Sequence, residues 1–410
     1  MTEMKQGYKN TEVGIIPEDW EVILLESLAT KIGSGITPTG GSNVYKEDGR
    51  PLVRSQNIGW GKLLLDDVAY IDDEIHQTFP NTEIQLNDVF LNISGASIGR
   101  SSFANDKLVG GNVNQHVCII RVIDNKLNPI FLNLFLLSKK GQKQIDSFQS
   151  GGNRQGLNIG QIRTFQIPIP PTLTEQTAIA TALSDADALI SGLEKLIAKK
   201  RNIKQGAMQK LLQPKEGWEV KKLGDIATIV RGASPRPIED PKWFDENSPI
   251  GWVRISDVTK SVKILIETTQ KLSEIGIQSS RYVEEGNLIM SICATVGRPI
   301  LTKINVCIHD GFVVFRNPQV NVNYIYYFLS FIEKNWSKNG QTGSQMNLNT
   351  TLINTTEIPI PKSKAEQTRI ATILSDMDNE ITALETKLEK YKKVKLGMMQ
   401  NLLTGKVRLV

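Results

Sequence analysis

The chain has 410 residues, and 40% of them are hydrophobic, which is enough for two domains of ordinary size with buried cores. Its net charge of +5 is compatible with a polyanionic partner, although many proteins without such a partner are equally basic. Cys118, Cys293 and Cys307 have no CxxC spacing and no apolar run reaches about 18 residues, which argues against a disulfide framework and a membrane span. We therefore expect a soluble, cytoplasmic protein.

The first part of the chain contains short β-like runs separated by turn residues. Residues 51–55 and 88–94 are such runs, and the second leads into GASIGR, where Gly99 predicts a tight turn. Residues 129–140 are rich in Leu and Phe and predict a helix, with Asn128 suited to cap its start. A polar, glycine-rich loop follows.

The same order of elements returns in the second half of the chain. The SGITP segment that contains Thr37 aligns with the RGASP segment that contains Ser234, and CATVGR with Gly297 aligns with GASIGR. A second helix is predicted over residues 322–333 and is again followed by a polar loop. Because the β-like runs align while the polar loops differ, we expect two units that share one scaffold and recognise different things.

The longest repeat joins residues 167–215 to residues 358–406, with 25 of 49 positions identical and no gap. Each copy opens with Ile-Pro-Ile-Pro, which cannot be helical because proline lacks a backbone donor and keeps the preceding residue extended. Apolar side chains then recur at alternating steps of four and three, which predicts a long helix packed on another helix as a coiled coil. The predicted seam consists of Ile179, Leu183, Ala186, Ile190, Leu193 and Ile197 in the first copy and Ile370, Leu374, Met377, Ile381, Leu384, Leu388 and Tyr391 in the second.

The duplication predicts an α+β fold, in which two pseudo-symmetric mixed α/β domains are separated by two long helices that form a coiled coil. The predicted boundaries are residues 1–171 for the first domain, 172–214 for a central spacer helix, 215–361 for the second domain and 362–410 for a C-terminal spacer helix. A helix of this kind would be roughly 55 Å long at 1.5 Å per residue, which is long enough to act as a spacer.

A search for catalytic chemistry finds no complete motif in the sequence. Neither GxxxxGK[ST] nor GxGxxG after a strand occurs, and the NPIF segment at residues 128–131 lacks the second proline of the NPPF loop of adenine methyltransferases. His116-x-Cys118 and Cys307-x-His309 are poor zinc motifs, and we interpret them as strand residues on alternate faces. The chain is therefore predicted to be a non-catalytic binding subunit that holds no metal.

The segment GIIPEDWEV at residues 14–22 and the paired IPIP...EQxxIAxxLSDxD segments resemble the specificity subunit (HsdS) of Type I restriction-modification enzymes. The resemblance covers essentially the whole chain, and the helical motif occurs twice. It implies that residues 1–171 and 215–361 are target recognition domains, each of which reads one half of a bipartite double-stranded DNA site. The antiparallel helices would then fix the unread gap between the two halves.

The resemblance also implies partners. Two methyltransferase subunits (HsdM) would dock on the chain, and two motor-nuclease subunits (HsdR) would join through them, with no membrane involved. No cofactor is expected on this chain, because S-adenosylmethionine and ATP would be held by the partner subunits. The repeated pairs Glu175-Gln176 and Ser184-Asp185 are expected to serve helix packing or methyltransferase docking.

DNA-binding candidates follow from the chemistry of recognition. Arg and Lys suit guanine, Asn and Gln suit adenine, and phosphates accept from basic, hydroxyl and backbone donors. Thr37 and Ser234, each followed by a proline, are predicted phosphate contacts. The candidates in the predicted loops are Thr37, Arg54, Gln56, Asn57, Ser94, Arg100, Asn112, Asn114, Gln115, His116, Asn153, Arg154 and Gln155 in the first unit, and Ser234, Arg236, Arg254, Ser256, Asp257, Arg298, His309, Asp310, Gln341, Ser344 and Gln345 in the second.

Two other functions remain open on the sequence alone. A self-contained adenine methyltransferase is opposed by the missing motifs, and S-adenosylmethionine binding by the isolated chain would favour it. A coiled-coil scaffold that binds other proteins is opposed by the polar loops. An assembled complex without salt-sensitive DNA binding would favour the scaffold.

Overall fold

A computed structural model of the chain describes residues 6–149, 156–336 and 348–409. The internal contacts divide the chain into two compact units. Unit 1 consists of Met1–Glu194 together with Lys387–Val410, and unit 2 consists of Lys195–Thr386. Each unit combines small β-sheets with helices, and each contains part of both long helices.

Unit 1 is built around a four-stranded antiparallel sheet of order β4-β10-β7-β8. A smaller sheet has the order β6-β5-β9, with β5 and β9 parallel, and two strand pairs, β1-β2 and β3-β11, complete the unit. The strands are β1 (Tyr8–Thr11), β2 (Gly14–Pro17), β3 (Glu21–Leu24), β4 (Ala29–Ser34), β5 (Arg50–Val53), β6 (Ala69–Ile71), β7 (Val89–Asn92), β8 (Ser101–Phe103), β9 (Asn112–Val113), β10 (Val117–Val122) and β11 (Gln166–Ile169).

Helices contribute to the unit 1 core, in which Trp20, Phe131, Phe135 and Phe165 are among the largest fully buried side chains. The helices are α1 (Asp73–Thr78), α2 (Pro129–Leu137), α3 (Lys139–Ser147), α4 (Ile159–Arg163) and the long helix α5 (Leu173–Leu211). The predicted cap is confirmed, because the Asn128 side chain accepts hydrogen bonds from the first backbone amides of α2. The predicted helix over 129–140 is divided in two, because Ser138 ends α2 and its hydroxyl caps α3.

Unit 2 repeats this plan with a five-stranded sheet of order β13-β21-β18-β19-β15 and a four-stranded sheet of order β16-β14-β20-β17. The pair β12-β22 corresponds to β3-β11 of unit 1. The strands are β12 (Glu219–Lys222), β13 (Thr228–Arg231), β14 (Gly251–Val253), β15 (Ile264–Leu265), β16 (Gln270–Lys271), β17 (Arg281–Val283), β18 (Leu288–Ser291), β19 (Pro299–Thr302), β20 (Val306–Ile308), β21 (Phe312–Arg316) and β22 (Glu357–Ile360). The helices are α6 (Leu223–Ile226), α7 (Ile255–Lys260), α8 (Glu274–Gln278), α9 (Val322–Trp336), α10 (Thr350–Thr355) and the long helix α11 (Lys364–Leu402).

Strand register defines which residues of the two units are equivalent. In unit 1, β10 pairs with β7 so that Val117 faces Asn92, and in unit 2, β21 pairs with β18 so that Phe312 faces Ser291. The predicted turns after β7 and β18 are confirmed, since Gly99 and Gly297 adopt φ of 83° and 81°. Val117 and Phe312 are therefore equivalent positions at which the central strand of each sheet begins.

Gly35 and Gly232 occupy equivalent places just after β4 and β13. A Cβ atom on Gly35 would lie 1.6 Å from the carbonyl oxygen of Val113, and one on Gly232 would lie 2.0 Å from that of His309. No side chain fits at either place, so the glycine of SGITP and RGASP is required for the close approach of two backbone segments.

The long helices α5 and α11 contain 39 residues each. Within unit 1, Asp187 of α5 pairs with Lys395 of α11 at 2.5 Å. Within unit 2 the roles are exchanged, because Asp378 of α11 pairs with Lys204 of α5. Both pairs join the helices in an antiparallel sense. None of the predicted seam residues is exposed: Ile179, Leu183, Leu193, Ile197, Ile370, Leu374, Ile381 and Leu388 are buried, and Ala186, Ile190, Met377, Leu384 and Tyr391 are half-buried.

Within the described ranges, no helix is long and apolar enough to span a membrane, and this includes α5 and α11. The interpretation of His116-x-Cys118 and Cys307-x-His309 as strand residues is confirmed for the cysteines, which lie buried in β10 and β20. It is wrong for His116, which directly precedes β10, and for His309, which directly follows β20. Burial raises the pKa of the Cys118 thiol to about 12.

Candidate nucleic-acid interface

Three loops of unit 1 leave the central sheet at the same edge. β4 ends at Ser34, β7 ends at Asn92 and β10 begins at Val117, and the strand register sets these three ends side by side. We call the loops after β4, after β7 and before β10 the loop edge of unit 1. The predicted residues that fall here are Thr37, Ser94, Arg100, Asn114, Gln115 and His116.

Four side chains of the loop edge form one line of hydrogen bonds in unit 1. The Thr37 hydroxyl donates to Gln115 Oε1, Gln115 Nε2 lies 3.0 Å from His116 Nε2, and His116 Nδ1 pairs with the Ser94 hydroxyl. Because the amide of Gln115 can only donate through Nε2, the proton of a neutral His116 belongs on Nδ1, which then donates to Ser94. Gln115 is exposed at the surface, while His116 is half-buried.

The loop edge of unit 2 consists of the loops after β13, after β18 and before β21. Its central group is the carboxylate of Asp310, which accepts from the Ser234 hydroxyl at 2.8 Å and from Arg236 Nη2 at 3.0 Å. Arg231 Nε donates to the backbone oxygen of Asp310 at 2.7 Å. Burial alone would raise the pKa of Asp310, but the Ser234 hydrogen bond and the Arg236 charge outweigh it and hold the pKa below its ordinary value.

Thr37 with Gln115 and Ser234 with Asp310 are the same pair in the two units. Counting back from the equivalent positions Val117 and Phe312, Gln115 corresponds to Asp310. In both units a hydroxyl that follows the required glycine donates to the side chain two residues before the central strand. The hydroxyl thus donates within the protein to Gln115 or Asp310. The phosphate contacts of Thr37 and Ser234 stay predictions.

His309 is equivalent to Asn114, and the position equivalent to His116 is Gly311. The Asn114 side chain accepts from the backbone amide of His116, and His309 Nδ1 accepts from the backbone amide of Gly311 at 2.9 Å. An imidazole and an amide therefore make the same local turn. Burial, with the charge of Arg254 adding to it, lowers the pKa of His309 despite the opposing effect of Asp310.

A second group of candidates follows β5 and β14. Arg54 Nη2 donates to the backbone oxygen of Asp67 at 2.9 Å and to Asp67 Oδ1 at 3.1 Å, and Gln56 Nε2 donates to Asp67 Oδ2 at 2.6 Å. In unit 2, Arg254 Nε donates to Gln270 at 2.6 Å, and Ser256 is exposed beside it. Each arginine is thus held by a neighbouring acceptor on the following loop or strand.

Asn57, Asp257, Asn112 and Asn114 are corrections to the predicted DNA-binding set, because 7% or less of each residue is exposed. Asn57 and Asp257 are equivalent caps, each accepting from the backbone amide of the arginine three residues earlier. Asn112 donates to Thr82 and pairs with His76 inside the unit 1 core. Buried polar groups with satisfied hydrogen bonds stabilise the fold and have no surface to offer a ligand.

Arg100 and Arg298 are half-buried at the two loop edges. Arg298 Nη2 donates to the backbone oxygen of Ser261 at 3.1 Å, whereas the buried Nε of Arg100 has no hydrogen-bond partner within the described part of the chain. The remaining candidates lie outside the described residues; they are Asn153, Arg154, Gln155, Gln341, Ser344 and Gln345.

Sequence reasoning missed three side chains that complete these groups: Asp67, Arg231 and Gln270. Asp67 and Gln270 hold the arginines after β5 and β14, and Arg231 is the exposed guanidinium before the required glycine of unit 2. For Arg231 a signal existed, since it opens the RGASP segment. For Asp67 and Gln270, which are not equivalent positions, no sequence pattern points to the contact.

The repeated Glu-Gln-Thr motif lies near the start of each long helix and binds the asparagine that precedes a shorter helix of the same unit. Gln176 Oε1 accepts from the backbone amide of Asn128 at 2.8 Å, and Gln367 Oε1 accepts from that of Asn321 at 3.0 Å. Asn128 and Asn321 in turn donate to the threonines that follow these glutamines. Gln176 and Gln367 are buried, so packing is one purpose that the repeated residues serve.

The chain matches the family model of the Type I restriction modification DNA specificity domain twice, over residues 17–205 and 215–394. A relative from Methanocaldococcus jannaschii, assigned as the specificity subunit of the type I restriction enzyme MjaX, is 26% identical over 99% of this chain and 97% of its own. That name agrees with the prediction of a non-catalytic specificity subunit.

Two solved structures share the fold. The S subunit of a Type I restriction-modification system from M. genitalium has a TM-score of 0.59 at 16% identity, covering 97% of this chain and 99% of its own. A chain from a structure of complex assembly and conformational transition of the type I R-M system has a TM-score of 0.63 at 17% identity, covering 96% and 99%. The predicted fold class is confirmed. With two matched domains along one chain, this protein belongs to the family of Type I restriction-modification DNA specificity subunits, whose role is DNA recognition.

Proposed function

We propose that units 1 and 2 each read one half of a bipartite double-stranded DNA site through their loop edges. The observation that carries the proposal is the pair formed by Thr37 with Gln115 and by Ser234 with Asp310, at equivalent positions. The scaffold is common, but the group it presents is a neutral amide in one unit and a carboxylate in the other. Two such units suit two different half-sites.

The exposed chemistry of each edge favours particular bases. An amide such as that of Gln115 can bond adenine, a carboxylate such as that of Asp310 can accept from the amino group of cytosine, and the guanidinium of Arg236 suits guanine or phosphate. The accessible candidates that we retain are Thr37, Arg54, Gln56, Ser94, Arg100, Gln115 and His116 in unit 1, with Ser234, Arg236, Arg254, Ser256, Arg298, His309 and Asp310 in unit 2.

We further propose that methyltransferase subunits dock on the long helices. In unit 2, α5 leaves Leu196 and Ile203 exposed one heptad apart, so both lie on the same side of that helix. Large apolar side chains on a helix surface are typical of a face that packs against another protein. Two methyltransferase subunits would supply S-adenosylmethionine, two motor-nuclease subunits would use ATP, and the complex would work in the cytoplasm.

The test is to co-express the chain with the methyltransferase subunit of its system, purify the complex and sequence the methylation pattern it leaves on unmodified DNA. We expect a split motif, with two short specified halves around a constant gap and a modified adenine in each. Methylation at an undivided motif, or none by a stable complex, would contradict the proposal. Modification by the isolated chain would support a self-contained methyltransferase instead.

A further inference from the structure

A hydrogen-bonded network in unit 2 joins the recognition domain to both long helices. Lys263 lies between α7 and β15, and its Nζ donates to the Tyr327 hydroxyl on α9 at 3.1 Å and to Ser375 Oγ on α11 at 2.8 Å. The Tyr327 hydroxyl donates to Asp378 Oδ2 at 2.7 Å, and the other oxygen of Asp378 pairs with Lys204 on α5. One lysine side chain thus reaches two helices at once.

The surroundings of Lys263 hold its ammonium group in a defined place. Its Nζ lies 4.7 Å from the ring centroid of Tyr327 and 5.4 Å from that of Tyr326. Cation–π attraction and two hydrogen bonds therefore act on one half-buried charge. Burial lowers the pKa of Lys263, and the Asp378 carboxylate opposes that change. A flexible side chain is ordered here by contacts on several sides.

The backbone around Lys263 continues the network toward the loop edge of unit 2. Arg298, which follows the turn at Gly297, donates to the backbone oxygen of Ser261 at 3.1 Å. The Tyr326 hydroxyl bonds the oxygen of Val262 at 3.3 Å, and the backbone oxygen of Lys263 accepts from the amide of Leu301 at 2.9 Å. Residues 261–263 therefore connect a candidate DNA-binding arginine with the side chains that contact α11.

Unit 1 is built differently at the equivalent place. Asn128 and Asn321 make the same bonds to their long helices, so the position equivalent to Tyr327 is Leu134, which is buried and apolar. Asp187, the equivalent of Asp378, keeps its lysine partner on the other helix, Lys395. The phenol that relays Lys263 to the aspartate is thus a feature of unit 2.

We propose that Lys263 is a positioning residue that fixes the recognition domain of unit 2 on the helix pair, so that the second half-site is read only at the correct distance from the first. The proposal rests on the proposed function, because it supplies one reason why a split site would have a constant gap. Lys263 acts through Tyr327, Ser375 and Asp378, and no contact of its own with DNA is required.

The experiment compares complexes of the methyltransferase with the wild-type chain, Lys263→Met and Tyr327→Phe. DNA substrates carry the gap found for the wild type, or that gap lengthened or shortened by one base pair, and initial methylation rates are measured for each. In the wild type, the methylation rate on the native gap divided by the rate on an altered gap measures selectivity for gap length. We expect both variants to lower this ratio about tenfold, which is the effect of losing one charge-assisted hydrogen bond. Lys303→Met, which removes an exposed lysine of the same domain, should keep the wild-type ratio.

The outcomes separate the two proposals. If the wild-type complex shows no split site, the proposed function fails before Lys263 is tested. If the wild type reads a split site and the variants lose thermal stability but keep the ratio of rates, Lys263 is only structural and the inference is wrong. Recovery of the ratio in Lys263→Arg, which restores a cation, would support positioning by charge.

Discussion

Arg408 donates a hydrogen bond at 2.8 Å to the carboxylate of Glu175, a residue that is 1% exposed at the start of α5. The same guanidinium donates to both oxygens of Asp19 at 2.9 and 3.0 Å. Glu175 belongs to the repeated Glu-Gln-Thr motif, and its equivalent Glu366 is half-buried and lies 4.0 Å from Arg369. A repeated residue thus has a buried ion pair in one unit and a surface pair in the other.

Arg408→Met should destabilise unit 1, because it leaves the buried Glu175 carboxylate without its cation. Removal of one partner from such a pair costs about 3 kcal/mol, and the partial exposure of Arg408 places the expected value toward about 2 kcal/mol. Urea unfolding would measure the change, with Arg369→Met as a matched control that we expect to stay within about 0.5 kcal/mol. Adding Glu175→Gln should recover part of the loss; if the double variant is no more stable than Arg408→Met, the charge is not the cause.

Gly35→Ala should prevent unit 1 from folding correctly, because its Cβ would lie 1.6 Å from a backbone oxygen that cannot move aside without disturbing β9. Overpacking of this kind costs about 3 kcal/mol or more. Gly33 lies in β4 only two residues earlier, and a Cβ there would meet nothing within 4 Å. The same Gly→Ala change is thus made at a crowded and at an open position, and we expect a lower melting temperature only for Gly35→Ala. Equal melting temperatures of the two variants would disprove the steric argument.

The long helices show what the sequence could predict. Heptad spacing after Ile-Pro-Ile-Pro predicts helices because periodicity and proline act locally, and the structure contains α5 and α11 over those residues. The equivalence of His309 with Asn114 could not be predicted, because backbone register sets it while the residue types differ. The burial of Asn57 and Asp257 was missed for a related reason: a polar side chain near a strand end caps a turn as readily as it contacts DNA.

His309 should make the stability of unit 2 depend on pH. Its pKa is lowered in the folded protein, chiefly by burial, so the unfolded chain binds a proton at a higher pH than the folded chain does. Stability is therefore expected to fall as pH decreases from about 7 through the ordinary histidine pKa of about 6.5. His309→Asn supplies the acceptor found at Asn114. Its free energy of unfolding, measured by urea titrations at pH 7 and pH 5, should decrease less over this range than that of the wild type. An equal fall in both proteins would exclude His309 as the source.

Asp310→Ala should relax sequence preference in one half-site and leave the other half unchanged. The lowered pKa keeps Asp310 ionised near pH 7, so its carboxylate can only accept, which suits the amino group of cytosine. Loss of one base contact is worth about 1–3 kcal/mol, or roughly a tenfold to hundredfold loss of discrimination at that base. Methylation rates on substrates mutated singly at each position of both halves would measure the loss of discrimination.

Arg236→Ala tests the neighbouring guanidinium. We expect this variant to relax sequence preference in the same half-site as Asp310→Ala and to leave the other half-site unchanged. Equal losses at both halves would indicate a folding defect and would count against base reading by the loop edge of unit 2.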